Sequence, residues 1–269
     1  MANDVISDDH RVSRIGRMRS YYDQTKADFC KTILVLGVGT GMRTYSYDEL
    51  SNQIAMSSDS ITFIVDPNPW FLTKNSETKF ARLVEYVRTN IGKLIPVCQG
   101  IPVETLIIGG HSASGGAAWR AIPLLEEVDG YLGLDPYRLE PRDEKNIPTL
   151  NWGTSKTSCG VTVNNAAKAS YVATVDAGRV FYQVNNNNDG KGHCDFSDNG
   201  CYGAICGLSD NAETVRETVA FSVNRFIQSL KDNKTVSKTD FVPPNELSQI
   251  MLFVNEDFVG SRRTAYLRR

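Results

Sequence analysis

The stretch ETLIIGGHSASGGAA (104–118) runs from an unbroken apolar segment straight into a row of glycine, alanine and serine. Its first half has the length and continuity of a strand buried on both faces. Its second half is small enough to open a helix that packs closely on the sheet. A buried strand that turns directly into a helix is a unit of parallel-sheet architecture, so this segment sets the fold class.

The same alternation extends in both directions. TILVLGVG (32–39) and SITFIVD (60–66) read as buried strands, and between them a helix is expected to begin at Ser46, with Glu49 three residues on as its capping box. From Thr78, Phe80, Leu83, Val84, Val87, Ile91, Leu94 and Ile95 recur at helical spacing along one face. GYLGLD (130–135), IPTLNWG (147–153) and RVFYQV (179–184) supply three later strands. A last helix carries Val215, Val219, Val223, Phe226, Ile227 and Leu230 on one stripe, with Asp210 or Asn211 as its cap. The expected class is therefore α/β, a mostly parallel central sheet with helices on both faces. Residues 1–232 form the domain, and 233–269 are its C-terminal extension or a tail. NNNNDGKG (185–192) is a polar loop, and no internal repeat is visible.

Bulk properties narrow the function. The 269 residues are 41% hydrophobic and 22% charged, as expected of one soluble domain with a substantial core. A net charge of -2 provides no positive field for nucleic acid or anionic lipid. The arginines of SRRTAYLRR (261–269) read as a solvated tail. The N-terminus carries acids and no apolar core segment, so it is no secretory signal as it stands, and no run reaches the ~20 apolar residues of a membrane span. Of six cysteines, Cys30 and Cys98 stand alone, while Cys159, Cys194, Cys201 and Cys206 fall in one stretch. That stretch permits two disulfides in three connectivities, which points to an oxidising compartment. Its spacing, even beside His193, lacks the short paired intervals of structural zinc sites, so no metal is expected.

A serine nucleophile on a strand-to-helix turn needs tiny residues two before and two after it. Ser112, flanked by Gly110 and Ser114, meets that need; Ser114, flanked by Ser112 and Gly116, also does. Ser112 is favoured because Gly110 then falls at the tight position after the strand, leaving Gly115 and Gly116 for helix–sheet contact. The hydroxyl needs a base, and there are three histidines to choose from. His10 precedes the first strand expected at 32, and His111 adjoins Ser112 but should point away from it. His193, just after the last strand, is the candidate base. The orienting acid should lie between 112 and 193. The residues after IPTLNWG contain no carboxylate up to Asp176, so Asp135, at the end of GYLGLD, is chosen, with Asp176 as the fallback. The oxyanion hole is expected from the amides of Ala113 and Thr40, with Gly41 as the alternative to Thr40. GVGTG is also a conceivable phosphate cradle, but no P-loop lysine follows and the dinucleotide pattern breaks at Thr44.

In Gly110-His111-Ser112, Leu134-Asp135-Pro136 and Gly192-His193-Cys194-Asp195 the chain resembles the α/β-hydrolases, and among them the chlorophyllase-like serine esterases. The resemblance covers roughly residues 30–230. It departs at Ala113-Ser114, where those enzymes carry Arg-Gly, and at Val38-Gly39, where relatives often carry His-Gly. It implies an α/β-hydrolase fold and hydrolysis of a hydrophobic carboxylic ester without a cofactor. The phytyl ester of chlorophyll is the implied substrate, cleaved to chlorophyllide and phytol. A groove for it is expected from Trp70, Phe71 and Leu72. A chlorophyllase-like role implies a plastid, whereas bonded cysteines imply the secretory pathway. The alternatives are a lipase or cutinase-like polyesterase, and a non-catalytic binding protein on the same fold.

Overall fold

The computed structural model describes residues 5–12, 15–66, 75–137, 147–154, 179–184, 192–201, 207–232 and 252–253. Nine strands form one sheet: β1 (Val5–Val12), β2 (Gly16–Asp23), β3 (Thr32–Gly37), β4 (Ile61–Asp66), β5 (Thr105–His111), β6 (Gly130–Leu134), β7 (Thr149–Thr154), β8 (Arg179–Val184) and β9 (Leu252–Phe253). Their order across the sheet is β1-β2-β4-β3-β5-β6-β7-β8-β9. From β4 to β8 every neighbouring pair is parallel, while β2 against β4, β1 against β2 and β9 against β8 are antiparallel. The expected α/β class with a mostly parallel sheet is what the chain adopts.

Helices cover both faces because the strands are apolar on both. Along β3, Leu34 and Leu36 enter one core with Leu50 and Ile54 of helix α1 (Asp48–Ser57). Ile33 and Val35 enter the other, with Phe80, Leu83 and Val84 of α2 (Ser76–Leu94) and Ala117 and Trp119 of α3 (Ser112–Ala121). Helix α4 (Ala212–Lys231) joins α1 on the first face through Val215, Val219 and Val223. The second core includes an edge-to-face pair, Trp119 and Tyr131, with centroids 4.9 Å apart. Each large side chain buried this way contributes about 1.5–3 kcal/mol relative to exposure.

The strand order decides where a site can form. From β3 the chain crosses to β4 on one side, then returns through α2 to β5 on the other side of β3. The chain therefore leaves β3 and β5 in opposite directions across the sheet, a topological switch point of the kind at which parallel sheets hold ligands. Gly37 pairs with Gly110 and His111 with Leu134, so the segments after β3, β5 and β6 emerge side by side.

Several local expectations are corrected. Two strands precede residue 32, and His10 lies in β1 with Nε2 3.0 Å from Ser20 Oγ. Their pattern is weak because β1 is an edge strand with Ser7, Asp8 and Asp9 exposed; Met18, Tyr21 and Tyr22 of β2 provide the buried contacts. Ser46 does not start α1. It belongs to a 3-10 turn, Thr44–Tyr47, where its hydroxyl accepts the Arg43 amide at 3.4 Å, and α1 begins at Asp48. Asn211 occupies the cap position of α4 but makes no side-chain capping bond. The extension after 232 reaches the sheet at Leu252–Phe253, where Phe253 pairs with Gln183 of β8.

Cys30 and Cys98, which read as solitary, form a disulfide, and Cys194 pairs with Cys201. No spacing rule links cysteines 68 residues apart; the parallel sheet brings them together just before β3 and β5. Closing a loop of that length is worth about 4 kcal/mol in the chain-entropy picture. Trp70, Phe71, Leu72, Asp176, Cys159 and Cys206 lie outside the described residues. Among the described residues, no helix is long and apolar enough to cross a membrane.

Candidate functional site

Ser112 sits where β5 becomes α3, and its backbone is left-handed, φ 54°. An L-residue with a side chain is strained in that region by about 1–3 kcal/mol, a cost that surrounding packing must offset. The packing is dense: α3 presses its small residues on the sheet, and Tyr137 donates its amide to the Ser112 carbonyl at 2.8 Å. Ser114 has a different environment. It is fully buried, its hydroxyl has no hydrogen-bond partner among the described residues, and it lies against Gly37 so closely that a Cβ there would fall 2.4 Å from its own. The two serines of the motif are thus separated into one at the strand-to-helix turn, 8% exposed, and one sealed between helix and sheet.

Asp135 follows β6 in the second strained conformation of this rim, φ 40°. Its amide donates to the Trp152 carbonyl at 2.7 Å, which anchors the turn to β7. Its carboxylate accepts the hydroxyl of Thr154 at 2.9 Å, the amide of Thr154 at 3.3 Å and Nδ1–H of His193 at 2.6 Å. Thr154 ends β7, the strand after which the sequence offered no carboxylate. A threonine there supports the acid of the neighbouring strand.

Because the carboxylate only accepts, His193 carries its proton on Nδ1 and leaves Nε2 available as a base. Both partners are nearly fully buried. The structure thus brings Asp135 and His193 into contact and sets Ser112 beside Asp135 through the β5–β6 register. Ser112 Oγ and His193 form no hydrogen bond among the described residues. Such bonds often close only when substrate is bound.

The oxyanion candidates lie on the two loops at the switch point. Ala113 is in the first turn of α3, where backbone amides have no acceptor within the helix. After β3, the Met42 amide returns to the Gly39 carbonyl at 3.1 Å, and the Gly39 amide is held by Tyr47 Oη at 2.8 Å. The amides of Thr40 and Gly41 make no hydrogen bond among the described residues, and Gly41 adopts φ 74°. This leaves donors from both loops available to an anion.

His193 is held by a loop most of whose anchors the sequence did not disclose. Arg216 of α4, 5% exposed, donates Nη1–H to the carbonyls of Ser197 at 2.9 Å and Asp195 at 3.4 Å, while its Nη2 meets Glu49 of α1 at 2.6 Å. Asp195 accepts the amide and hydroxyl of Ser209, and the Asp198 amide reaches the Ser46 carbonyl at 2.8 Å. The Cys194–Cys201 disulfide closes the same loop. The contacts of Arg216 with Glu49 and of Asp198 with Ser46 join residues more than about 150 positions apart, for which no local pattern exists. Nδ1 or Nε2 of His111, a nitrogen of His193 and the sulfur of Cys201 lie within 4.8 Å of one another. That sulfur is bonded to Cys194, so it is not a thiolate ligand as it stands.

Burial pushes the Asp198 carboxyl up to about 6, opposed by the Glu49 amide and by Arg216. The folded state therefore binds a proton more readily than the unfolded chain between the ordinary carboxylate range and about pH 6. Stability from this group falls as pH rises through that window. Asp198→Asn removes the titration while keeping an acceptor for the Glu49 amide. Measured as urea midpoints, the variant is expected to gain on wild type between pH 4 and 7. A difference that stays constant or reverses contradicts this assignment. The chain matches no protein-family model and no curated protein.

Proposed function

We propose that the protein is a serine hydrolase of carboxylic esters, built on an α/β-hydrolase fold. The strand order, with one antiparallel strand before a parallel series and left-handed Ser112 after β5, supports the fold. The observation that carries the reaction is the buried 2.6 Å contact between His193 Nδ1 and Asp135 at the rim that also bears Ser112. It defines a base whose second nitrogen is unprotonated and whose cationic form is stabilised by a carboxylate.

Ser112 Oγ attacks the ester carbonyl carbon while its proton passes to His193 Nε2. The carbonyl electrons collect on an oxyanion held by the amides of Ala113 and Thr40, with Gly41 the alternative donor in that loop. Collapse expels the alcohol, which takes the proton from His193. Water, deprotonated by the same imidazole, then releases the acid and restores Ser112. Asp135 keeps the ring oriented and neutralises the imidazolium at each transfer. The resemblance in the three motifs makes the phytyl ester of chlorophyll the first natural substrate to test. The disulfides favour an oxidising compartment for the chain.

The test is a substrate panel on purified protein: p-nitrophenyl butyrate, chlorophyll a, a triacylglycerol and an aliphatic polyester. Turnover of the short ester with a pre-steady-state burst is expected, with chlorophyllide formed from chlorophyll a. Turnover of triacylglycerol or polyester without chlorophyllide moves the substrate class to the lipase or cutinase-like reading. Silence on all four, with no labelling by a fluorophosphonate, assigns the fold to binding.

A further inference from the structure

His111 lies between the loop that holds the oxyanion donors and the loop that holds the base. It is fully buried, its ring centroid 4.7 Å from that of His193 with the planes tilted by 41°, and flanked by Tyr47 and Phe196. Its Nε2 is 2.7 Å from the carbonyl oxygen of His193, and its Nδ1 is 2.7 Å from Tyr47 Oη. A carbonyl only accepts, so Nε2 carries the proton. In the neutral ring Nδ1 is then an acceptor, and Tyr47 must donate to it. Tyr47 Oη in turn accepts the Gly39 amide at 2.8 Å. Met42 Sδ also lies 3.1 Å from that hydroxyl, but Tyr47 has one proton and the imidazole nitrogen is the better acceptor.

The result is a chain of donors with one direction, from the Gly39 amide through Tyr47 and His111 to the backbone of the base itself. Gly39 is part of the fit, because a Cβ there would stand 2.7 Å from His111 Nδ1 and 2.8 Å from Met42 Sδ. We propose that His111 and Tyr47 are positioning residues that set the oxyanion loop and the base loop at a fixed spacing around Ser112. This rests on the serine-hydrolase reading and assigns neither residue a contact with substrate. Burial and the neighbouring His193 hold His111 well below the ordinary histidine range, which keeps the ring neutral and the direction of the chain intact.

The role separates from simple packing because the two links can be cut one at a time. Tyr47→Phe keeps the ring but leaves the Gly39 amide and His111 Nδ1 unpaired. His111→Leu cuts both links, and His111→Gln offers an amide that reaches toward the His193 carbonyl. Rates on p-nitrophenyl butyrate are taken per active site, counted by exhaustive fluorophosphonate titration, so that unfolded material does not enter. His111→Leu is expected to lose on the order of 10²-fold in kcat, as a displacement of about 1 Å can cost. Tyr47→Phe should lose less, His111→Gln should recover part of the loss, and KM should stay within about threefold throughout. Variants that match wild type per titrated site overturn the positioning role while leaving the hydrolase reading intact. A rise in KM at unchanged kcat overturns it too. A wild type that neither titrates nor turns over overturns both.

Discussion

Ser112→Ala is expected to lower kcat on p-nitrophenyl butyrate by on the order of 10⁴-fold or more, since removing the nucleophile of a triad leaves only binding and oxyanion stabilisation. Ser114→Ala should retain most activity. The contrast is informative because both serines satisfy the small-residue requirement of the turn and differ by only two positions. They differ in what surrounds them. Ser112 follows β5 with φ 54° beside Asp135, while Ser114 is sealed against Gly37 with its hydroxyl unpaired among the described residues. An unpaired buried hydroxyl costs about 1–3 kcal/mol, so Ser114→Ala should be neutral or slightly stabilising in a urea melt. Ser112→Ala also relieves no strain, because alanine keeps the Cβ that makes φ 54° unfavourable. Loss of activity in Ser112→Ala should therefore appear without a large change in unfolding midpoint.

Asp135→Asn should reduce kcat by about 10⁴-fold with little effect on KM, for a reason of proton direction rather than shape. The carboxylate accepts from three donors: His193 Nδ1–H, the Thr154 hydroxyl and the Thr154 amide. An amide presents one acceptor and two donors. If its nitrogen faces the imidazole, His193 shifts its proton to Nε2 and is no longer a base toward Ser112. If its oxygen faces the imidazole, its nitrogen confronts the Thr154 amide. The first arrangement disables the base, and the second leaves a donor opposed to a donor in a buried site. The measurement is kcat across pH 6–9. Activity close to wild type in Asp135→Asn contradicts the role given to this acid, and attention then passes to Asp176.

Most of the sheet is legible from composition alone because its central strands are buried on both faces and therefore unbroken in hydrophobicity. TILVLG, ITFIVD and TLIIGG need no tertiary information to be recognised. The β1–β2 hairpin does, since an edge strand with Asp8 and Asp9 exposed has no such signal until Met18 and Tyr21 are seen packing. The site divides along the same line. Ser112 and His193 belong to motifs placed next to strands, and Asp135 follows from its place at the end of GYLGLD and the absence of a carboxylate between IPTLNWG and Asp176. Tyr47 and Arg216 had no motif, because their importance lies in partners 64 and 167 positions away: His111 for Tyr47, and Glu49 for Arg216. Ser46 illustrates the opposite error. Its capping pattern is genuine in sequence, but a 3-10 turn uses the hydroxyl for Arg43, and Glu49 is drawn to Arg216.

The most direct test of the account is to map the adduct. Wild-type protein is labelled with a fluorophosphonate, digested and sequenced by mass spectrometry. The account requires a single phosphonyl group on Ser112, formed at a rate that collapses when His193 is replaced by alanine. A phosphonyl group on Ser114, or labelling of Ser112 that proceeds equally fast without His193, contradicts it.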